Sequence, residues 1–227
     1  MTAGHRTAPT ALGALYPFLY DGAPAPDPTA DLVASTEAKL RDTARLRADV
    51  LTEQAAALRR CAATLAAALH RGARLYAFGN GGSATDAQAC ADLFADPPVP
   101  GPSRPATALG GDGAVLSALA NDVGVEAVFA RQLAALARPG DIAVGFSTSG
   151  NSPNLVAAFR QARRIGMVTV GFAGGDGGAL ARERLDHLFV VRSPSVHRVQ
   201  EAQTTACHVL WELTTAGAAG SGPEHRG

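Results

Sequence analysis

The sequence contains few cysteines, a single lysine, few aromatic residues and no long apolar run. Only 5% of its 227 residues are aromatic and 18% are charged, with 20 basic side chains against 20 acidic ones. The absence of about 18 or more consecutive apolar residues excludes a transmembrane helix. Because the formal net charge is zero, the chain lacks the charge excess that attracts proteins to nucleic acids or anionic membranes, and we expect neither partner.

The cysteines and the amino terminus bear on the compartment. Cys61, Cys90 and Cys207 are odd in number and too widely spaced for a redox or zinc CxxC motif, which indicates reduced thiols. The apolar stretch near the start is interrupted by Gly13 and Pro17, so a secretory signal is not expected. The sequence therefore predicts a cytoplasmic protein.

Composition divides the chain into three parts. Residues 1–30 are rich in Pro, Ala, Gly and Thr and predict a flexible leader, and residues 217–227 predict a flexible tail. The LYPFLY segment of the leader could dock onto a partner or cover apolar surface of its own chain. In the body, residues 31–216, helical spacing predicts two helices between about Ala34 and His70.

The pattern then changes to short apolar runs separated by helix-like segments. The five runs are ARLYAF (73–78), PATAL (105–109), DIAVGF (141–146), MVTVGF (167–172) and HLFVV (187–191). Near-continuous hydrophobicity is typical of parallel strands covered on both faces, so we predict an α/β three-layer sandwich with a five-stranded, mostly parallel sheet. In such sheets, ligands bind beyond the carboxyl ends of the strands.

Two loops at those ends are candidates for an anion site. Gly79-Asn80-Gly81-Gly82-Ser83 follows the first run, and its glycines permit close approach of a ligand to a helix start that Ser83 could cap. Ser147-Thr148-Ser149-Gly150-Asn151-Ser152 follows the third run, before Pro153 at a helix start. Tight turns and ordinary caps explain either loop alone. Both loops in one sheet favour an anionic ligand such as phosphate.

Other polar segments are open to two interpretations. Asn121 and Asp122 could hold sugar hydroxyls or cap the following helix, and Gly174–Gly178 could contact a ligand or form a plain turn. On the last helix, Gln200, Glu201, Thr204 and His208 share one sector of about 100°. A lone helical histidine is more often structural than catalytic, and the Gln and Glu that share its sector make a catalytic role a stronger alternative.

At this point the sequence resembles a known family. The segments GNGGSATDAQACADL, AND, STSGNSPN, GGDGG and RVQEAQTTACHVL occur in order over about residues 35–216 and are similar to the sugar isomerase (SIS) domain in its phosphoheptose isomerase branch. The resemblance implies a helical amino-terminal extension, a homotetramer and phosphosugar sites between subunits. It places the substrate contacts on Asn80, Gly81, Gly82, Ser83, Asn121, Asp122, Ser147, Thr148, Ser149, Ser152 and Gln200, and the catalytic histidine on His208.

Two positions depart from the family pattern. Where the family has a histidine and, four residues later, a glutamate that serves as base and metal ligand, this chain has Ala89 and Leu93. The resemblance makes His208 and Gln200 metal ligands in zinc-bound members, so two of four ligands are missing and we expect no zinc cofactor. Leucine cannot act as a base. The carboxylates that could replace the base are Asp86, Asp96 and Glu201.

Two functions follow from these features. The first is an aldose–ketose isomerase for a phosphosugar such as D-sedoheptulose 7-phosphate, with His208 as acid and base and a relocated carboxylate. The second is a non-catalytic phosphosugar-binding regulator or scaffold of a protein partner, similar to replication-initiator-associating SIS proteins. Direct DNA binding is not expected, since no basic cluster or three-helix recognition unit is evident.

Overall fold

The computed structural model of this chain describes residues 28–99 and 101–219. Residues 1–27 of the predicted leader, with LYPFLY, and residues 220–227 of the predicted tail lie outside the described residues. None of the helices in the described part is long and apolar enough to cross a membrane.

Within the described residues, helices alternate with strands after an opening pair of helices. The helices are α1 (Pro28–Glu53), α2 (Ala55–His70), α3 (Gly82–Ala95), α4 (Gly113–Val123), α5 (Val128–Leu136), α6 (Pro153–Ile165) and α7 (Val196–Ala219). The strands are β1 (Leu75–Gly79), β2 (Ala106–Ala108), β3 (Ile142–Ser147), β4 (Val168–Gly174) and β5 (His187–Val191). Two 3₁₀ turns, at Val125–Ala127 and Leu180–Arg182, complete the order.

The sheet confirms the predicted fold class. Its order is β2-β1-β3-β4-β5, and every neighbouring pair is parallel. The chain thus moves out to β2, returns past β1 to β3, and continues to the other edge. The reversal beside β1 and β3 brings the loops after those strands side by side, which is where doubly wound sheets bind ligands.

Alternate strand residues form two apolar layers. Leu75, Ala77 and Phe146 belong to the layer with α2, α3 and α7, whereas Tyr76 and Phe78 belong to the layer with α5 and α6. In the first layer the rings of Phe146 and Phe172 stack with centroids 4.8 Å apart. Burial on both faces explains why the central strands β1, β3 and β4 are nearly continuous apolar runs.

Helix α1 begins at Pro28, earlier than the predicted start near Ala34, and crosses the border between two compact units at Asp42 and Thr43. In the second unit, Gln54 stands where α1 ends and α2 begins. Its amide accepts from the Val190 N–H at 3.2 Å and donates to the Val190 carbonyl at 2.9 Å. Gln54 thereby satisfies backbone groups of β5, the strand at the sheet edge.

The three cysteines are free and buried, and each lies on a different helix of the same layer: Cys61 on α2, Cys90 on α3 and Cys207 on α7. The neighbouring Cys207 thiol, together with burial, raises the pKa of Cys90 well above that of an ordinary thiol. Burial raises the pKa of Cys61 well above that of an ordinary thiol. The free thiols agree with the expectation from the cysteine spacing.

Candidate active site

The first candidate loop leads directly from β1 into α3. Gly81, with φ of 55°, precedes the first helical residue, Gly82, and Ser83 is buried inside the first turn of the helix. The prediction that Ser83 caps this helix is therefore wrong, because the chain enters the helix two residues earlier. The Ser83 N–H instead donates to the Asn80 carbonyl at 3.0 Å, and this hydrogen bond closes the turn.

The second candidate loop, residues 147–152, is called the phosphate loop below. The Ser147 hydroxyl accepts from the Gly150 N–H at 3.0 Å and lies 3.2 Å from the Ser152 hydroxyl. Pro153 begins α6, as predicted, and Ser152 occupies the N-cap position without a side-chain cap hydrogen bond. The loop therefore gathers hydroxyls over the positive end of a helix dipole, an arrangement that suits a phosphate.

A reciprocal amide pair joins the two loops. The Asn80 side chain donates to Asn154 at 2.9 Å, and the Asn154 side chain donates back to Asn80 at 2.8 Å. Asn154 is buried in the first turn of α6. The Asn80 amide thus holds the loop after β1 beside the phosphate loop.

The carboxylate of Asp86 lies where α3 meets α7. The Gln200 amide donates to one Asp86 oxygen at 3.3 Å, and the Thr204 hydroxyl donates to the other at 3.2 Å. The Gln200 side chain also lies directly over the backbone of Gly82. Asp86 and Gln200 are therefore next to the loop after β1, although 114 residues separate them in sequence.

Burial raises the pKa of the Asp86 carboxyl above its ordinary value, and the hydrogen bonds from Gln200 and Thr204 lower it by a smaller amount. Desolvation favours the neutral acid, whereas donors to the oxygens favour the carboxylate. A carboxylate whose pKa is raised in this way is a stronger base than one on the open surface.

The other two carboxylates lie elsewhere. Asp96 is exposed at the end of α3, roughly 15 Å along the helix from Asp86. Glu201 is exposed and forms an ion pair with Arg47 of α1 at 3.4 Å. Of the three carboxylates, Asp86 is the one that the fold brings beside Gln200.

His208 is exposed on α7, about two helical turns beyond Gln200. Gln203, on the same helix, is fully buried and donates to the Ser147 carbonyl at 3.4 Å. The sequence reasoning missed Gln203. Its signal is a polar residue among Val199, Ala202 and Ala206, which form the buried face of α7.

Asn121 and Asp122 lie in the last turn of α4 rather than in a loop, and Asn121 donates to Asp122 at 2.9 Å. Neither caps the next helix, whose 3₁₀ start follows Gly124 without a side-chain cap. The next residue, Val123, lines an open groove of about 630 Å³ together with Asn151 and Pro153. This groove connects the end of α4 with the phosphate loop.

Ala89 and Leu93, at the positions where the resemblance places two metal ligands, do not fit a zinc ion. Ala89 is exposed and Leu93 is buried in the apolar layer with Cys90. A methyl group and an isobutyl group offer no donor, and zinc sites need three or four. Across residues 28–99 and 101–219, no three His, Cys, Asp or Glu side chains are grouped so that they could hold a metal.

The sequence of this chain is similar to those of known proteins. Residues 40–174 match the family model described as the SIS domain. The chain is 50% identical over 179 residues to a phosphoheptose isomerase of Desulfovibrio desulfuricans, covering 78% of this chain and 84% of that protein. The chain belongs to the SIS domain family, in its phosphoheptose isomerase branch.

Solved structures agree with this membership. The SIS fold of this chain matches phosphoheptose isomerase from Neisseria gonorrhoeae with a TM-score of 0.74 at 32% identity, covering 80% of this chain and 97% of that one. It matches the enzyme from Francisella tularensis with a TM-score of 0.77 at 27% identity, covering 81% and 98%. The SIS domain therefore accounts for most of the chain.

Proposed function

We propose that this SIS protein is an aldose–ketose isomerase that acts on sedoheptulose 7-phosphate. The observation that carries the proposal is the phosphate loop at the end of β3, with the Asp86–Gln200 cluster across the adjacent strand. Phosphoheptose isomerases at up to 50% identity support the same reaction class. A homotetramer and a cytoplasmic location stay predictions.

In this proposal the two ends of the sugar have separate sites. The phosphate is held by Ser147, Thr148, Ser149 and Ser152 and by the first N–H groups of α6. The reacting end faces α3 and α7. The residues proposed to contact the sugar are Asn80, Gly81, Gly82, Ser83, Asn121, Asp122 and Gln200.

Proton transfer in this reaction needs a base near the reacting carbons. Asp86 takes a proton from C1 of the ketose while the oxygen on C2 gains one, which gives an enediol. Asp86 then returns its proton to C2, and the oxygen on C1 loses one. His208 is proposed to serve the two oxygens. Since no redox change occurs overall, no co-reactant is required.

One observation favours a second function. Leu93 is a buried apolar residue at the position where the resemblance expects the base, so a protein that binds the phosphosugar without converting it is the alternative. Such a protein would regulate or scaffold a protein partner. Conversion of substrate by metal-stripped protein separates the two functions.

The test is incubation of EDTA-treated protein with sedoheptulose 7-phosphate, followed by NMR of the sugar. We expect an aldoheptose phosphate to appear. Binding without conversion would favour the regulator, and the absence of both binding and conversion would overturn the phosphosugar assignment.

The phosphate loop is tested by the double variant Ser149→Ala, Ser152→Ala. Each lost hydrogen bond to a charged group costs about 1.5–3 kcal/mol, so affinity should fall at least roughly tenfold. Ser103→Ala is the matched control, because the exposed Ser103 precedes β2 and so lies at the amino ends of the parallel strands, away from the phosphate loop at their carboxyl ends. Unchanged affinity, measured by calorimetry, would mean that the phosphate does not bind at this loop.

A further inference from the structure

The loop that follows β4, Gly174–Gly178, packs against the phosphate loop. A methyl group on Gly178 would lie 2.6 Å from the Ser149 carbonyl oxygen and 2.6 Å from Asn151 Oδ1. A methyl group on Gly174 would collide with the Thr148 carbonyl oxygen. Both distances are shorter than real carbon–oxygen contacts. The two loops therefore touch through backbone at positions where only glycine fits.

Asn151 fastens the two loops together. Its Oδ1 accepts from the Ala179 N–H at 2.9 Å, and its Nδ2 donates to the Ser149 carbonyl at 3.1 Å. Next to it, the Leu180 N–H donates to the Gly150 carbonyl at 3.0 Å. The conformation of the phosphate loop is thus fixed from outside as well as by its own hydroxyls.

The contacts reach the part of the phosphate loop that carries its ligand groups. Asn151 N–H donates to the Ser149 hydroxyl at 3.2 Å, and Ser149 is exposed where the loop faces solvent. A shift of the Ser149 carbonyl would turn the hydroxyl and the neighbouring N–H groups away from a common point. Charge-assisted hydrogen bonds depend on such convergence.

We propose that Asn151 and Gly178 are positioning residues that hold the phosphate loop in its anion-binding conformation. The inference rests on the proposed function, since it concerns the same site, and it gives the glycine loop a role without any contact to substrate. Because the donors to the Asp86 carboxylate are Gln200 and Thr204, and neither positioning residue is among them, loss of a positioning residue should affect binding of the phosphate and leave the proton transfer intact.

Two glycines of the loop provide a matched test. Gly178 and Gly175 both have left-handed backbone angles, with φ of +54° and +63°, so alanine strains the backbone at both positions. Nothing lies within 4 Å of a methyl group on Gly175, whereas Gly178 has no room for one. The difference between Gly178→Ala and Gly175→Ala therefore isolates the contact with the phosphate loop.

The full chain is assayed with sedoheptulose 7-phosphate, and inorganic phosphate serves as a competing ligand. We expect Gly178→Ala to raise KM and the inhibition constant of phosphate by roughly tenfold, because at least one charge-assisted hydrogen bond is lost, with kcat within about twofold. Gly175→Ala should match the unmodified protein in all three constants. Asn151→Ala, which removes the fastening without adding a methyl group, should behave as Gly178→Ala does.

Equal KM values for Gly178→Ala, Asn151→Ala and the unmodified protein would overturn the inference while the proposed function stands. A fall in kcat at constant KM would overturn it too, because the loop would then act on the chemistry. If Gly178→Ala does not fold, the Asn151→Ala result decides. An unmodified protein that neither binds nor converts the sugar would overturn the proposed function and this inference together.

Discussion

The phosphate loop and the facing surfaces of α3 and α7 are built in different ways. In the phosphate loop, residues a few positions apart hydrogen-bond to one another, as the Gly150 N–H does to the Ser147 hydroxyl. The loop that follows β4 supports them. Between α3 and α7, Asp86 depends on Gln200 and Thr204, more than a hundred residues away. The conformation of the phosphate loop thus depends largely on residues close in sequence, whereas the surroundings of Asp86 depend on tertiary packing.

The largest effect is expected where the helices meet. Asp86→Asn keeps the size of the side chain but removes the base, so kcat should fall by about 10²–10⁴ while phosphosugar affinity is kept. Asp96→Asn and Glu201→Gln are the matched controls and should be nearly fully active. Steady-state kinetics measures kcat, and calorimetry measures the affinity for the phosphosugar. If all three variants are active, none of the three carboxylates is the base.

His208→Ala should lower kcat by a similar factor of about 10²–10⁴, since it removes the second proton-transferring group. The side chain is exposed, so the melting temperature should hardly change. A large drop in melting temperature by differential scanning calorimetry would instead make His208 a structural residue.

The aliphatic position on α3 can be tested by restoring metal donors. Leu93→Glu places a carboxylate in the apolar layer and should destabilise the fold by on the order of 2–5 kcal/mol. In the double variant Ala89→His, Leu93→Glu, zinc should recover about 2.7 kcal/mol at a hundredfold excess over its Kd. Ala89→His alone is the control. Thermal unfolding with and without zinc measures the effect, and no recovery would mean that α7 supplies no donors.

The raised pKa of Asp86 predicts a smaller effect on stability. Because the folded-state pKa lies above the unfolded-state value, the contribution of this group is fully present below the unfolded pKa and is lost as pH rises through the folded pKa. Asp86→Asn cannot titrate. The free energy of unfolding of the unmodified protein should therefore fall relative to that of the variant over this window, as measured by urea unfolding. Parallel curves would contradict the assigned direction.

The smallest effect is expected from Thr204→Val, which keeps the side-chain shape and removes one donor to Asp86. Such a hydrogen bond contributes about 0.5–1.5 kcal/mol. Its loss should raise the pKa of Asp86 further, since this donor lowers it. The acid limb of the kcat profile should shift to higher pH. Thr205→Val is the control, because the Thr205 hydroxyl donates to the Glu201 carbonyl.

The sheet could be predicted from the sequence because both of its faces are buried. The central strands β1, β3 and β4 are therefore nearly continuous apolar runs, and even the short, partly exposed β2 falls inside the predicted run 105–109. The residues at which helices begin are harder to predict from the sequence. Ser83 has the side chain of a cap, but the chain enters α3 at Gly82, and hydroxyl content does not reveal which residue turns first.

The choice among the carboxylates also needed the structure. A helical wheel fixes which residues share a face of α3, but not which helix that face meets. The contact between α3 and α7 brings Asp86 to Gln200, whereas the buried Gln203 of α7 reaches the end of β3. The roles of these residues in catalysis stay predictions, whereas their positions now follow from the packing.

The rate at which the three cysteines react with a thiol reagent would report on movement of the helices. All of them are buried, one on each of α2, α3 and α7, and the raised pKa values of Cys61 and Cys90 keep these two thiols unreactive in the folded protein. A thiol reagent would thus react only when α2, α3 or α7 separates from the sheet. The labelling rate would count those openings, and its slowing by phosphosugar would measure how firmly a ligand closes the helical layer.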